Sequence, residues 1–521
     1  MSLLSLSSEL LSEITRNLIP TMDTDLGSYE PHPDIKPCRL ALLALSKTSR
    51  RLNIISIPYL YHSICILDLR ALFDILGTLI LHDHLAGLVR VVNLATPLDQ
   101  ELDDYTDQKS EEIFADLTAD TKAYGYLDRC FGDFFTGDAG ELTWSNCDGY
   151  PESACALLLC LVSELEALYI HLPNWNAGDY EVLMGFFETS YAEEGDGTFA
   201  QRLSLLSLTA NPHACDPFLP ADTPQCFMGT AGNIKRLEIF GANLLFQDDD
   251  APFTAAKWRN LEAIEVSYAC TTGEWWYRLC KEARPKLKRI DISISPRFNE
   301  EGVQCQPGYN EAFALCADSL EYLRFGVEWM HNYVSHLGPA RGLSCLPSMQ
   351  KLKYLEVSIT VIFSSLATIK ESDIRNCLPP SLETICLSDE LWEPWQDSVP
   401  EKGTDGLVKE HAMALKRAMI QLVLYSEQKL PLLTDVHVRV KKSYWKFDET
   451  EMRGFCTVSE VGQPSTLTAS HYKGERNMVV AEDISSKSVR LGWSNYVRRL
   501  GVYRGTMGPR LLAIMITGNG R

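Results

Sequence analysis

Basic residues are in deficit. Across 521 residues, 48 Lys and Arg face 69 Asp and Glu, a formal net charge of -21 at neutral pH. Binding a polyanion requires Lys and Arg to replace its counterions, so non-specific association with nucleic acid or an anionic membrane surface is excluded as a leading role. Long apolar runs are missing too. No stretch approaches the roughly 20 apolar residues that a membrane-spanning helix needs. The opening MSLLSLSSEL has no basic segment before its leucines, and Glu9 interrupts them, so a secretory signal is not expected. The expected location is cytoplasmic, nuclear or both.

Signatures of catalysis and of metal binding are also absent. There is no GxSxG, no GxxxxGK followed by Ser or Thr, no HExxH and no glycine-rich phosphate loop. Sixteen cysteines are scattered without a CxxC pair. Most lie beside apolar residues, as Cys155 and Cys160 do in ESACALLLCLV and Cys316 in FALCADSL, and read as buried thiols of a reducing compartment. Eleven histidines have no metal-ligand spacing, and His82 and His84 of LHDHL would face different ways on a helix. The expectation is a protein that is not an enzyme, with no catalytic residue, no metal and no cofactor.

What the sequence does hold is a period. An apolar residue, two variable ones, an apolar residue, one variable and an apolar residue recur along the chain. The copies are LVRVVNL (Val89, Val92, Leu94), LEALYI (Leu165, Leu168, Ile170), LSLLSL (Leu203, Leu206, Leu208) and IKRLEI (Ile234, Leu237, Ile239). LEAIEV (Leu261, Ile264, Val266) and LKRIDI (Leu287, Ile290, Ile292) follow, with further copies from Leu320, Leu352, Leu382 and Leu433. The closing apolar pair has strand periodicity, with the residue between them facing the other way. Between Ile234 and Leu382 the copies begin 27, 26, 33, 32 and 30 residues apart, room for a short strand, a return segment and two turns. Helical stretches stand ahead of several copies: ACALLLCLVSE, EWWYRLCKEAR and EAFALCAD.

One such unit cannot bury its apolar face alone, whereas units stacked side by side bury a continuous strip behind a parallel sheet. The expected fold is therefore an α/β solenoid. Ile234, Leu237, Leu261, Ile264, Leu287, Ile290, Leu320, Leu323, Leu352, Leu355, Leu382 and Ile385 should be buried, on parallel strands in sequence order. A doubly wound α/β sheet is the alternative, and a permuted strand order would mark it. The pattern resembles the leucine-rich repeat in its irregular fungal form. The asparagine usual after the strand in that family is mostly absent, Asn243 in GANLLF being the nearest match.

A solenoid does not usually begin with SLSSELLSEITRNLIP. Leu10, Leu11, Ile14 and Leu18 recur at helical spacing, Ser7 or Ser8 can cap the helix and Pro20 stops it. After PTMDTDLGSYEPHPDIKP come CRLALLALSKTSRRLNIISIPYLYHSI, in which Leu40 and Leu43 share a face, a break falls between Lys47 and Arg50, and Pro58 ends a short helix ahead of the strand HSICIL. This opening resembles an F-box motif. The matching residues are Leu6, Glu9, Leu10, Leu11, Ile14 and Leu18, then Leu43, Leu45, Ser46, Lys47, Ser49, Arg50 and Leu52, then Pro58, Leu60 and Tyr61. Ser7 stands where family members usually have proline, and the insertion between the first two helices is a second departure.

The resemblance implies an N-terminal three-helix F-box followed by a leucine-rich-repeat solenoid with a parallel strand sheet. It implies a substrate-recognition subunit of an SCF-type cullin-RING ubiquitin ligase. Leu6, Leu10, Leu11, Ile14, Leu18, Leu43, Leu45, Leu52, Pro58, Leu60 and Tyr61 would bind a Skp1-like adaptor, and through it a cullin, while the repeats hold a protein substrate. The alternatives are that these helices merely cap the first repeat, or that the chain is a leucine-rich-repeat scaffold with no ligase role.

The expected organisation is an F-box-like domain over 1–64 with an insertion at about 20–38, a repeat region over 65–450 with an acidic insertion at about 100–152, and a cap or strand-containing tail over 451–521. In the tail Lys and Arg outnumber Asp and Glu, and NMVVAE and LLAIMI read as strands. Trp392 and Trp395 of LWEPWQ are candidate substrate contacts, on a loop beyond a strand, whereas Trp275 and Trp276 of EWWYRL have a helical setting that buries at least one ring. Lys235, Arg236, Lys288 and Arg289 flank strands but are too dispersed to mark a phosphate site.

Overall fold

A computed structural model describes residues 5–19, 35–94, 150–172, 202–210, 233–244, 258–294, 308–327, 342–362, 374–388, 422, 429–440, 457–460, 467–470 and 477–482. The chain forms two compact units, Met1–Asn243 with Asp250–Leu261, and Leu244–Asp249 with Glu262–Arg521.

The first unit opens with α1 (Ser8–Arg16), α2 (Ile35–Thr48) and α3 (Arg50–His62). Ser7 and Ser49 start α1 and α3, their hydroxyls accepting the N–H groups of Leu10 and Leu52 that no helical carbonyl can reach. Because α2 begins at Ile35, the segment Ile35–Cys38, expected within the insertion, forms its first turn. Pro37 is tolerated there, since first-turn amides have no intrahelical partner. Pro58 does not end α3, contrary to the sequence reading. The helix runs on to His62 with the proline inside it. Ile54 and Pro58 are both exposed, so the carbonyl that loses its N–H partner lies on a solvated side of the helix.

From α3 the chain passes directly into β1 (Ser63–Ile66), then α4 (Leu69–Leu81), α5 (Asp83–Ala86), β2 (Val91–Leu94), α6 (Tyr150–Leu161), β3 (Ala167–Leu172), β4 (Leu205–Ala210) and β5 (Arg236–Phe240). β1 to β5 pair in sequence order and all run parallel. Register puts Ile64, Val92, Leu168, Leu206 and Leu237 in one row and Ile66, Leu94, Ile170, Leu208 and Ile239 in the next. Every one of these side chains is buried. α4 turns Leu69, Leu72, Phe73, Leu76 and Leu79 inward at the spacing of one helical face.

A two-residue strand β6 (Asn243–Leu244) precedes the repeats of the second unit: β7 (Ala263–Thr271), α7 (Gly273–Ala283), β8 (Arg289–Ile294), α8 (Tyr309–Leu315), β9 (Tyr322–Val327), β10 (Tyr354–Ser358), α9 (Ile359–Ile362), β11 (Thr384–Ser388) and β12 (Asp435–Val440). β7 to β12 again pair parallel and in order, with Ile264, Ile290, Leu323, Leu355, Ile385 and Val436 in one row. The opening leucine of each copy closes the preceding turn: Leu287 donates to Ala283, Leu320 to Cys316, Leu352 to Met349, Leu382 to Pro379 and Leu433 to Leu430. The next two N–H groups share one carbonyl of the copy before, as Lys353 and Tyr354 do with Glu321 O and Glu383 and Thr384 do with Lys353 O. All twelve residues expected in the core are buried. Unpermuted parallel order excludes a doubly wound sheet within either unit, and the architecture is that of a leucine-rich-repeat-like α/β solenoid.

Where helices return on the far side, α7 and α8 meet at glycine. Gly308, at φ +131°, begins α8, and a Cβ there would lie 2.7 Å from the Gly273 backbone at the start of α7. Past β12, β13 (Thr457–Glu460) and β14 (Leu467–Ser470) form an antiparallel hairpin, and β15 (Asn477–Glu482), the NMVVAE of the tail, adds a parallel rung beside β12. LLAIMI lies outside the described residues. Among those described, no helix is long and apolar enough to cross a membrane.

Candidate functional site

Three short helices have little interior. Each supplies one fully buried leucine, Leu11 from α1, Leu42 from α2 and Leu52 from α3, with Thr15 and Ser56 beside them in the buried set. Polar ties hold the helices in place. Arg51 Nη2 donates to Leu6 O at 2.8 Å and to Ser8 Oγ at 3.0 Å, joining α3 to the start of α1. The Ser12 and Tyr59 hydroxyls meet at 2.6 Å, and Asn53 Nδ2 reaches Ser46 O at 3.2 Å to join α3 to the end of α2. Glu9 stands in the first turn of α1, where a backbone N–H and then the Ser7 hydroxyl hold its carboxyl below the usual range.

That framework leaves apolar side chains in water. Leu10 and Ile14 on α1, Leu40 and Leu43 on α2 and Ile54 on α3 are between 38 % and 64 % exposed. Pro58 is exposed as well, and Leu6, Leu18, Leu45, Leu60 and Tyr61 are half-buried. Leu11 and Leu52 are in the interior, so they shape the bundle and offer no surface. The motif did not single out Leu40 and Ile54 as contacts. Their signal is spacing, since Leu40 stands one turn from Leu43, and Ile54 one turn from Pro58, each pair on one helical face.

The sheet offers a second surface, built by the residues between the buried rows. In the second unit the register aligns Arg289, Tyr322 and Tyr354 in one row, and Asp291, Arg324 and Glu356 in another. Asp291 accepts from Arg289 Nη2 at 3.0 Å and Arg324 Nη1 at 3.3 Å. Glu356 accepts from Arg324 Nε at 3.1 Å and from the Tyr354 hydroxyl at 2.6 Å. The Arg289 guanidinium lies 3.8 Å over the Tyr322 ring, which stacks on Tyr354 at 4.4 Å and 1°. That separation is close to the spacing of adjacent strands, so the pairing itself sets the stack. Burial, followed by the charges of Asp291 and Glu356, pushes the Tyr322 phenol well above its ordinary range. Arg289 thus belongs to a ladder that the dispersed sequence positions had concealed, and aligning the copies reveals it.

No protein-family model and no curated protein matches the sequence. Among solved structures, the crystal structure of the Rad7 and Elc1 complex in yeast is similar, at 11% identity, over 83% of this chain and 88% of that chain. Its TM-score is 0.28, too loose a likeness to carry an argument.

The remaining expectations divide. Trp275 and Trp276 are both buried, stacked edge to face at 5.0 Å on α7, and belong to the core. Trp392 and Trp395 lie outside the described residues. Among the described residues no group of His, Cys, Asp or Glu is arranged to hold a metal ion. In the ladder the carboxylates of Asp291 and Glu356 and the guanidinia of Arg289 and Arg324 are engaged with one another.

Proposed function

We propose that this chain is the substrate-recognition subunit of an SCF-type cullin-RING ubiquitin ligase, non-catalytic in itself. Its N-terminal helices dock on a Skp1-like adaptor, and its repeats hold the protein to be modified. The observation that carries this reading is the apolar surface of the bundle. Leu10, Ile14, Leu40, Leu43 and Ile54 remain exposed in a module whose own core takes only one leucine per helix. Exposed aliphatic pairs at one-turn spacing suit a groove on a partner, and the same helices carry the F-box resemblance. The contribution to catalysis would be proximity, holding a substrate lysine near a thioester carried by another protein.

The test is capture by purified Skp1-like adaptor of the full-length chain and of its Leu10→Asp and Ile14→Asp variants. Both sites are exposed, so the variants should keep the wild-type thermal unfolding and lose about tenfold or more in affinity, roughly 1.4 kcal/mol or more. Unchanged capture by folded variants would sink the docking reading and leave a leucine-rich-repeat scaffold.

A further inference from the structure

The first turn of α2 lies against the sheet. On the face opposite the leucines of the first unit, register aligns Ser63, Val91, Ala167, Leu205 and Arg236 in one row and Cys65, Asn93, Tyr169, Ser207 and Glu238 in the other. Polarity changes along both rows. Cys65, Val91, Ala167, Tyr169 and Leu205 form an apolar group among Ser63, Asn93 and Ser207, while the last rung carries the ion pair of Arg236 with Glu238 at 2.6 Å. An apolar patch on an open sheet face would be left in water. Here Ile35 packs with Cys65 and Tyr169, and Val91, Ala167 and Leu205 lie against that group.

The three central side chains are only 5–7 % exposed. Asn93, in register between Cys65 and Tyr169, is 1 % exposed, and its Oδ1 accepts no hydrogen bond among the described residues, a cost that the packing around it must offset. The module is fixed to the same sheet at a second place. α3 ends at His62, β1 begins at Ser63, and Arg90 N–H donates to His62 O at 2.9 Å. Two attachments this far apart in sequence remove the pivot that a single junction would allow.

We infer that Ile35 anchors the three-helix module onto the outer face of the opening strands, so that the module and β1 to β4 move as one body and this stretch of sheet is closed to partners. The inference rests on packing and stands whether or not the helices bind an adaptor. Its consequence is that whatever occupies Leu10 and Ile14 is held at a fixed bearing to the first strands.

Cys65 is a built-in reporter, because burial raises its thiol to about 11, with Arg39 of α2 close enough to oppose the shift. The experiment follows N-ethylmaleimide labelling of the full-length chain by peptide mass spectrometry. Wild-type Cys65 should label slowly. Ile35→Asp should speed Cys65 labelling by about tenfold or more, the mark of local opening, while the buried Cys155 and Cys280 stay protected. Continued protection of Cys65 in a folded Ile35→Asp variant would overturn the proposal. If that variant labels at every cysteine, Ile35→Cys decides. Treatment with diamide, which takes the two electrons and two protons of the thiols, should give a cross-link between position 35 and Cys65. A folded Ile35→Cys variant that forms no such cross-link would equally overturn it.

Discussion

At the scale of single residues, Thr271 shows how much one hydroxyl can organise. Trp276 Nε1 donates to its Oγ1 at 3.1 Å, the same oxygen lies 2.9 Å from the Tyr309 hydroxyl, and Tyr309 donates to Thr271 O at 3.2 Å. With the tyrosine proton committed to the carbonyl, the threonine must donate to the tyrosine oxygen, and every group is satisfied. The ring of bonds ties the end of β7 to both α7 and α8. Thr271→Val keeps the shape but leaves the buried indole N–H without its acceptor and the phenol without its donor. The expected loss is about 1–3 kcal/mol in urea unfolding, with the expression and fold retained. Equal stability would show that the network is not what holds the two helices to the sheet.

Among elements, the decisive feature is register. The residue after each opening leucine in the second unit runs Glu262, Lys288, Glu321, Lys353, Glu383, so charge alternates from strand to strand. Lys288 Nζ reaches Glu262 at 2.9 Å and Lys353 Nζ reaches Glu321 at 3.7 Å. These exposed pairs add little stability, yet they disfavour pairings that would bring like charges together. Stability resides in the buried rows. Leu355, fully buried between Leu323 and Ile385 in register, has neighbours on both sides that cannot collapse into a gap. Leu355→Ala should therefore cost about 2–5 kcal/mol, read as a lowered denaturation midpoint. A cost below about 1 kcal/mol would mean that the row is not close-packed there.

For the molecule as a whole, one buried histidine makes stability depend on acid. His171, on β3, is buried, and desolvation lowers its imidazole to about 4. In the unfolded chain the group titrates near its ordinary 6.5. Below that pH the unfolded state binds a proton that the native state refuses, so stability falls as pH drops from about 6.5 towards 4. Above pH 7 this histidine adds no pH dependence. The full effect is about 3 kcal/mol. In urea titrations at pH 7.5 and 5.0, wild type should lose more stability than His171→Gln. Parallel losses would show that the imidazole is not the group responsible.

The leucine spacing alone determined the repeat and the buried rows, because a short strand with one apolar face has no stable way to hide it except beside its own kind; strand pairing in the structure decided that the order is unpermuted. The sequence also determined that Leu10, Leu11 and Ile14 belong to an amphipathic helix with Ser7 available as its cap. Sequence did not settle which of those leucines faces inward. Leu11 and Leu52 went into the bundle and Leu40 and Ile54 stayed out, a choice made by how three helices cross and not by hydrophobicity, which is the same for all four. Pro58 misled for a related reason: a lost hydrogen bond ends a helix in isolation, whereas here the helix continues past it into β1. The row of Arg289, Tyr322 and Tyr354 is legible once the third residues of successive copies are aligned, although their stacking is not. The seat of Ile35 on Cys65 and Tyr169 was illegible, because it joins residues tens of positions apart on a helix and two strands, and only packing between elements brings them together.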